Sequence, residues 1–259
     1  MGKKIFSTLI LIIALGVFAY SGYQLFLIYS DYKEIDDEYN AIRDMVVIQD
    51  ATEAQGDATE GETQKNSFQV NFDALLSINK DVIGWIRFDE PSAISYPVAQ
   101  ARDNSKYLYT SLEGKYLSAG TIFVDYQNSS DFRDENTVIY GHNMKNGSMF
   151  GQLRKFKNSE YAETNPYFYI YTPDGRKITY QIFAVKVVED TSPTYDKIYA
   201  DQDEFQTYIN NIYKGAIYTS KDVAVSATDR IAMLSTCTGV EETRLVVFGV
   251  VISEDVIGE

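Results

Sequence analysis

The sequence contains one cysteine, Cys237, and one histidine, His142, in 259 residues. A lone thiol makes no intrachain disulfide, and one His with one Cys falls short of the ligand set a zinc site usually takes. Basic side chains are also scarce: 23 Lys and Arg stand against 37 Asp and Glu, a formal net charge of -14. No basic stripe is present to displace counterions from a phosphate backbone, so nucleic acid is excluded as a partner. Tryptophan occurs once and proline five times, whereas tyrosine occurs 21 times. That aromatic balance suits strands and half-exposed surfaces.

Charge is missing altogether from Ile5 to Ile28, an apolar run long enough as a helix to cross a hydrocarbon core of roughly 30 Å. Lys3 and Lys4 precede it, and Asp31, Glu34, Asp36 and Asp37 follow. By the positive-inside rule the N-terminus is cytoplasmic and the rest lies outside. A cleaved signal peptide is the competing reading, with Ala19-Tyr20-Ser21 as a small-x-small site, but the apolar run continues well past it. Both place the bulk of the chain outside the cytoplasm. No cysteine lies near the span, which excludes a lipoprotein. The expected organisation is a cytoplasmic tail at 1–4, a transmembrane anchor at 5–28, a stalk and acidic linker at 29–66, and an extracellular domain at 67–259. The linker proper, DATEAQGDATEGETQKN, has no large apolar residue with which to fold.

From Phe68 onward the pattern is of strands. VIGWIRF, ISYPVAQ, GTIFVDY, NTVIYGH, YFYIYT, KITYQIFAVKVVE, RIAMLSTC and TRLVVFGVVI are rich in Val, Ile, Tyr, Phe and Thr and are bounded by Gly, Pro, Asn and Asp. Thr172-Pro173-Asp174-Gly175 marks a turn between two of them. Three segments read as helices: NFDALLSINKD with Asn71 as a cap, SMFGQLRKFK, and DQDEFQTYINNIY. Eight strands with few helices predict a mainly β fold, a closed or nearly closed antiparallel barrel.

An unpaired thiol in an exported protein is a small buried apolar residue, an intermolecular link or a reactive group. Cys237 ends an apolar run, and Arg244 opens the next across the loop TGVEET, so the two face each other over a hairpin. His142 follows the strand NTVIY, with Gly141 expected to turn the backbone sharply. Taken singly, a loop histidine and a strand-end arginine are ordinary solvated residues. Strand ends distant in sequence share a barrel rim, however, and together the three supply a nucleophile, a proton exchanger near neutral pH and a permanent cation for an oxyanion.

LSTC at Leu234–Cys237, Arg244 on the next strand and YGHN at Tyr140–Asn143 together resemble the sortases, membrane-anchored cysteine transpeptidases of Gram-positive bacteria. The resemblance covers the domain from about Phe68. YGHNM, SMFGQL and the helix before the last two strands resemble class B in particular. Papain-like peptidases place the cysteine before the histidine, and L,D-transpeptidases carry an arginine almost adjacent to the cysteine; neither pattern is present here.

The resemblance implies an eight-stranded sortase β-barrel with N-terminal helices and no cofactor or metal. It implies the triad Cys237 as nucleophile, His142 as proton donor and acceptor, and Arg244 as oxyanion or substrate stabiliser. The substrate would be a surface protein with a C-terminal sorting signal resembling Asn-Pro-Gln-Thr-Asn, cut after Thr. An amino group of a lipid II or peptidoglycan precursor would resolve the thioester. Asn104, Leu108, Tyr140, Tyr195 and Ser235 match substrate-binding positions, and Thr238 stands where some relatives carry an acidic residue. A secreted cysteine peptidase, with water as acceptor, and a non-catalytic anchored adhesin or pilus-assembly scaffold are the alternatives.

Overall fold

The computed structural model describes residues 2–49 and 68–257. The acidic linker expected from Asp50 to Asn66 lies outside the described residues. The chain forms two compact units, Met1–Ala41 and Ile42–Glu259. Helix α1, Gly2–Val46, runs unbroken for 45 residues, and no proline interrupts that stretch. From Ile5 it is long and apolar enough to cross a membrane.

In the second unit β1 (Val47–Gln49) pairs antiparallel with β2 (Phe68–Val70). Three residues that read as stalk in the sequence therefore take part in a sheet. Helix α2 (Phe72–Ile78) follows, and Asn71 caps it as expected, its Oδ1 accepting the Ala74 N–H at 3.0 Å.

The barrel strands are β3 (Val82–Phe88), β4 (Ser95–Ala99), β5 (Ile122–Val124), β6 (Asn136–Tyr140), β7 (Tyr167–Tyr171), β8 (Arg176–Glu189), then β10 (Ile231–Cys237) and β11 (Thr243–Val256). These are the eight runs read in the sequence. A two-residue strand, β9 (Tyr218–Thr219), pairs with β8 on the outside of this set. The order β11-β10-β6-β5-β4-β3-β7-β8 closes through antiparallel pairing of β8 with β11. Register shifts in that last pair bend two 14-residue strands enough to complete the circle.

The barrel is mixed, not antiparallel: β4–β5 and β6–β10 are parallel. Each parallel pair needs a long crossover, and the segments between these strands supply it. The β7–β8 turn is the expected Thr172-Pro173-Asp174-Gly175, with Gly175 at φ +80°, a conformation that favours glycine. The segment SMFGQLRKFK differs from expectation. Met149 adopts φ +51°, and Gly151–Lys157 forms a 3-10 helix before the short helix α3 (Ser159–Thr164). Its amides bond three residues back, Gly151 to Ser148 and Leu153 to Phe150, so Leu153 and Phe156 are buried with a tighter winding than an α-helix.

Helix α4 (Gln202–Tyr213) precedes the last two barrel strands and buries Phe205, Tyr208, Ile209 and Ile212 against Phe183, Met233, Val246 and Phe248. Asp201 caps it through the Glu204 N–H at 2.9 Å. At the barrel's other wall Trp85 is fully buried, and its indole N–H donates to Ser95 Oγ at 3.0 Å. Trp85→Ala removes that bond and opens a large cavity. Chemical denaturation is expected to show a loss of about 3–5 kcal/mol.

Candidate active site

Strand register brings the three chemistry-bearing residues together. Cys237 is the last residue of β10 and pairs directly with Arg244 of β11, so the hairpin seen in the sequence is a cross-strand neighbour pair. β10 also pairs with β6, Ser235 opposite Tyr140, and the Gly141 N–H donates to the Ser235 carbonyl at 3.1 Å. His142 therefore leaves β6 at the rim where β10 ends. Cys237, His142 and Arg244 line one cleft of about 110 Å³, together with Leu108, Thr121, Phe123, Tyr140 and Ser235. Cys237 is exposed, which removes the reading of it as a buried apolar residue.

Each member is held by neighbours. The Asn143 side-chain amide donates to the Cys237 carbonyl at 2.8 Å and joins the two strand ends across the rim. The His142 carbonyl accepts the Phe150 N–H at 2.9 Å, and its ring Nε2 lies 2.7 Å from the Leu108 carbonyl oxygen. A carbonyl only accepts, so Nε2 carries a proton and Nδ1 is the nitrogen free to exchange one. The Tyr109 ring flanks the imidazole at 5.7 Å between centroids. Gly141 is needed for space. A Cβ there would lie 2.7 Å from the Phe150 ring, and its φ is not among the positive values.

Arg244 donates from Nη2 to Asp190 Oδ2 at 2.9 Å and from Nη1 to the Thr243 carbonyl at 3.0 Å. Asp190 begins the segment after β8 and holds the guanidinium in one orientation. A planar donor fixed this way could offer its remaining N–H groups to a developing oxyanion without reorganising.

The expected substrate residues fall into two groups. Leu108, Tyr140 and Ser235 line the cleft, and Tyr195 touches two of them: its ring stacks on Tyr140 at 6.2 Å and its hydroxyl bonds Ser235 Oγ at 2.7 Å. Burial pushes the Tyr195 hydroxyl up, more than Ser235 and Arg244 pull it down. Burial, with the Asp125 carboxylate beside it, also raises Tyr140 far above its ordinary value, so the phenol remains a donor. Asn104 is not among the cleft-lining residues. Its amide nitrogen donates to Asp125 Oδ2 at 2.9 Å and its oxygen accepts the Tyr126 N–H at 3.0 Å.

Asp125, Asn143 and Asp190 were not singled out in the sequence. Asp125 and Asp190 directly follow strands and Asn143 lies three residues beyond β6, positions where Asn and Asp read as turn punctuation. For Asn143 a signal existed, since it completes YGHN.

Asp125 is buried, and its environment favours the charged form. Burial opposes ionisation, yet the Gln127 N–H, Asn104, the Lys197 charge and Tyr140 together hold the carboxyl below its ordinary value of 3.8. A depressed carboxyl stabilises the fold at pH above its unfolded value, and that contribution is lost as pH falls through the folded value. Asp125→Asn cannot titrate. Melting temperatures of this variant are therefore expected to fall less steeply than wild type below about pH 4.

Comparison with known proteins agrees with this geometry. The sortase domain family matches residues 92–252. Sortase B of Listeria monocytogenes is 30% identical over 248 residues, 94% of this chain and 95% of the relative. The crystal structure of sortase B from Bacillus anthracis in complex with AAEK1 superposes with a TM-score of 0.72 at 29% identity, covering 87% of this chain and 99% of that one. A Staphylococcus aureus sortase B–substrate complex gives a TM-score of 0.65 at 28% identity, over 70% of this chain and 84% of that one. Sequence and architecture thus agree on a class, a cysteine transpeptidase built on a closed barrel. The chain belongs to the sortase family, and its relatives place it in class B.

Proposed function

We propose that this transpeptidase cuts a C-terminal sorting signal resembling Asn-Pro-Gln-Thr-Asn after its Thr and transfers the surface protein to an amino group of a peptidoglycan precursor such as lipid II. The observation that carries the reading is the shared cleft, in which the exposed Cys237 sits opposite Arg244 and beside His142. The Cys237 thiolate attacks the Thr carbonyl carbon, Arg244 hydrogen-bonds the oxyanion, and the scissile C–N bond breaks as the imidazolium of His142 protonates the departing amine. The product is an acyl-thioester. An incoming amine then gives its proton to His142, attacks the same carbon and releases the thiolate.

Leu108, Tyr140, Tyr195 and Ser235 form the wall along which the peptide lies, with Asn104 behind it. Helix α1 anchors the chain as a single span, with Lys3 and Lys4 on the cytoplasmic side and the catalytic domain outside.

The test uses the full chain in detergent, a fluorogenic peptide library varied around the sorting signal, and an added amine such as triglycine. The reading expects cleavage after Thr, with an amine-dependent product replacing the hydrolysed one as amine is raised. Cleavage whose only product is the free acid at saturating amine supports a peptidase instead. Absence of cleavage across the library supports the scaffold reading.

A further inference from the structure

The most heavily coordinated side chain behind the cleft belongs to none of the three reacting residues. Asp125, directly after β5, is 1% exposed. Its Oδ1 accepts the Gln127 N–H at 3.0 Å. Its Oδ2 accepts from Asn104 Nδ2 and from the Tyr140 hydroxyl, both at 2.9 Å, and pairs with Lys197 Nζ at 3.3 Å. The Lys197 side chain is itself only 12% exposed, so this is a largely desolvated ion pair.

Those donors come from three separate segments around the cleft. Asn104 lies just ahead of the 3-10 turn Lys106–Leu108, whose last carbonyl holds His142. Tyr140 ends β6, two residues before His142. Lys197 belongs to the segment between β8 and α4, and it also donates to the carbonyl of Tyr195 at 3.1 Å. Tyr195 in turn stacks on Tyr140 and bonds Ser235. One carboxylate thus fixes the Leu108 turn, the end of β6 and the Tyr195 segment relative to one another.

We infer that Asp125 is a positioning residue for peptide binding, an ionic pin that holds the Tyr195 segment against β6 and the Leu108 turn so that the cleft wall stays in register with Cys237. The inference rests on the proposed reading of this cleft as the peptide site. Asp125 does not touch the reacting atoms. The segment has a second anchor away from the cleft, where Asn136 Nδ2 donates to the Asp196 carbonyl at 3.3 Å and the Tyr208 hydroxyl donates to the Thr194 carbonyl at 2.7 Å. Loss of the pin therefore loosens the cleft side of the segment while α4 and the core remain packed. Binding suffers before chemistry does.

The experiment compares wild type with Asp125→Asn and Lys197→Met as full-length protein in detergent. The expected result is a rise in KM for the cleaved peptide of about tenfold, with kcat changed less than about threefold. The rate of Cys237 alkylation by iodoacetamide, which needs no cleft wall, is expected to stay at the wild-type value. The double variant is expected to be no worse than either single one, because both remove the same tie. Independently of any peptide, hydrogen exchange is expected to speed up about tenfold at Tyr195 and Asp196 and to be unchanged in α4. Unchanged exchange at Tyr195 and Asp196 in both variants overturns the inference, as does an equal loss of kcat and alkylation rate. If wild type cleaves no peptide, the transpeptidase reading fails, and the exchange result still decides whether Asp125 pins the segment.

Discussion

Cys237→Ala is expected to reduce peptide cleavage to the uncatalysed background, a loss on the order of 10⁴-fold or more. No second thiol exists in the chain to substitute for it. On the proposed mechanism the remaining residues would still bind the peptide and polarise its carbonyl, but without sulfur no acyl-enzyme would form, and the transfer would stop at its first step. The change costs little elsewhere. Cys237 is exposed at the end of β10, so shortening its side chain opens no cavity, and stability is expected to stay within about 0.5 kcal/mol of wild type. Cleavage assays paired with thermal melts separate the two effects: activity disappears while the melting temperature holds. Substantial residual activity would place the nucleophile elsewhere.

Arg244→Ala carries the next largest effect, an expected loss in kcat of about 10²–10³-fold, the range found when one oxyanion donor is removed. The structure explains why lysine is a poor replacement. Arg244 spends Nη2 on Asp190 and Nη1 on the Thr243 carbonyl, and the planar group is thereby oriented with donors to spare. A lysine ammonium is a point charge on a flexible stem, so Arg244→Lys is expected to recover the ion pair with Asp190 but only a small part of kcat. Stability again changes little, because the ion pair is partly solvated, with the two side chains about a third exposed. Steady-state kinetics on the three proteins distinguish charge alone from directed hydrogen bonding. Equal activity of the lysine variant and wild type would mean that charge suffices.

The grouping of Cys237, His142 and Arg244 was legible in the sequence because it involves rare residues. One cysteine and one histidine, each at the end of a strand-like run, left few combinations to consider, and the spacing to Arg244 matched a hairpin. The strands were legible for a different reason: Val, Ile, Tyr and Phe cluster between turn-forming residues, and all eight runs are barrel strands. Strand direction was not. Nothing in the composition of β4 and β5, or of β6 and β10, encodes parallel pairing, since apolar runs of this length fit either ladder. The segment from Ser148 to Lys157 misled because apolar residues three and four apart suit an α-helix and a 3-10 helix alike, and the left-handed Met149 that sets its start has no marker in the sequence.

Support for the site was the least visible part. Asp125 looks like the polar end of a strand in GTIFVDY, and only the fold shows that Asn104, Tyr140 and Lys197 converge on it from positions 21 residues before and 15 and 72 residues after it in the chain. The same holds for Asp190, which reaches Arg244 only because β8 and β11 close the barrel. The candidate reacting residues stand out by type. The side chains that contact them or their neighbours are ordinary carboxylates and amides, joined to them only by contacts between distant strands.

Intact-mass spectrometry of the full chain mixed with a sorting-signal peptide in the absence of amine tests the central claim most directly. The account predicts an adduct whose mass equals the peptide through its Thr residue, located at Cys237 by digestion and discharged when triglycine is added. An adduct at any other residue, or amine-dependent product formation by the Cys237→Ala protein, would contradict it.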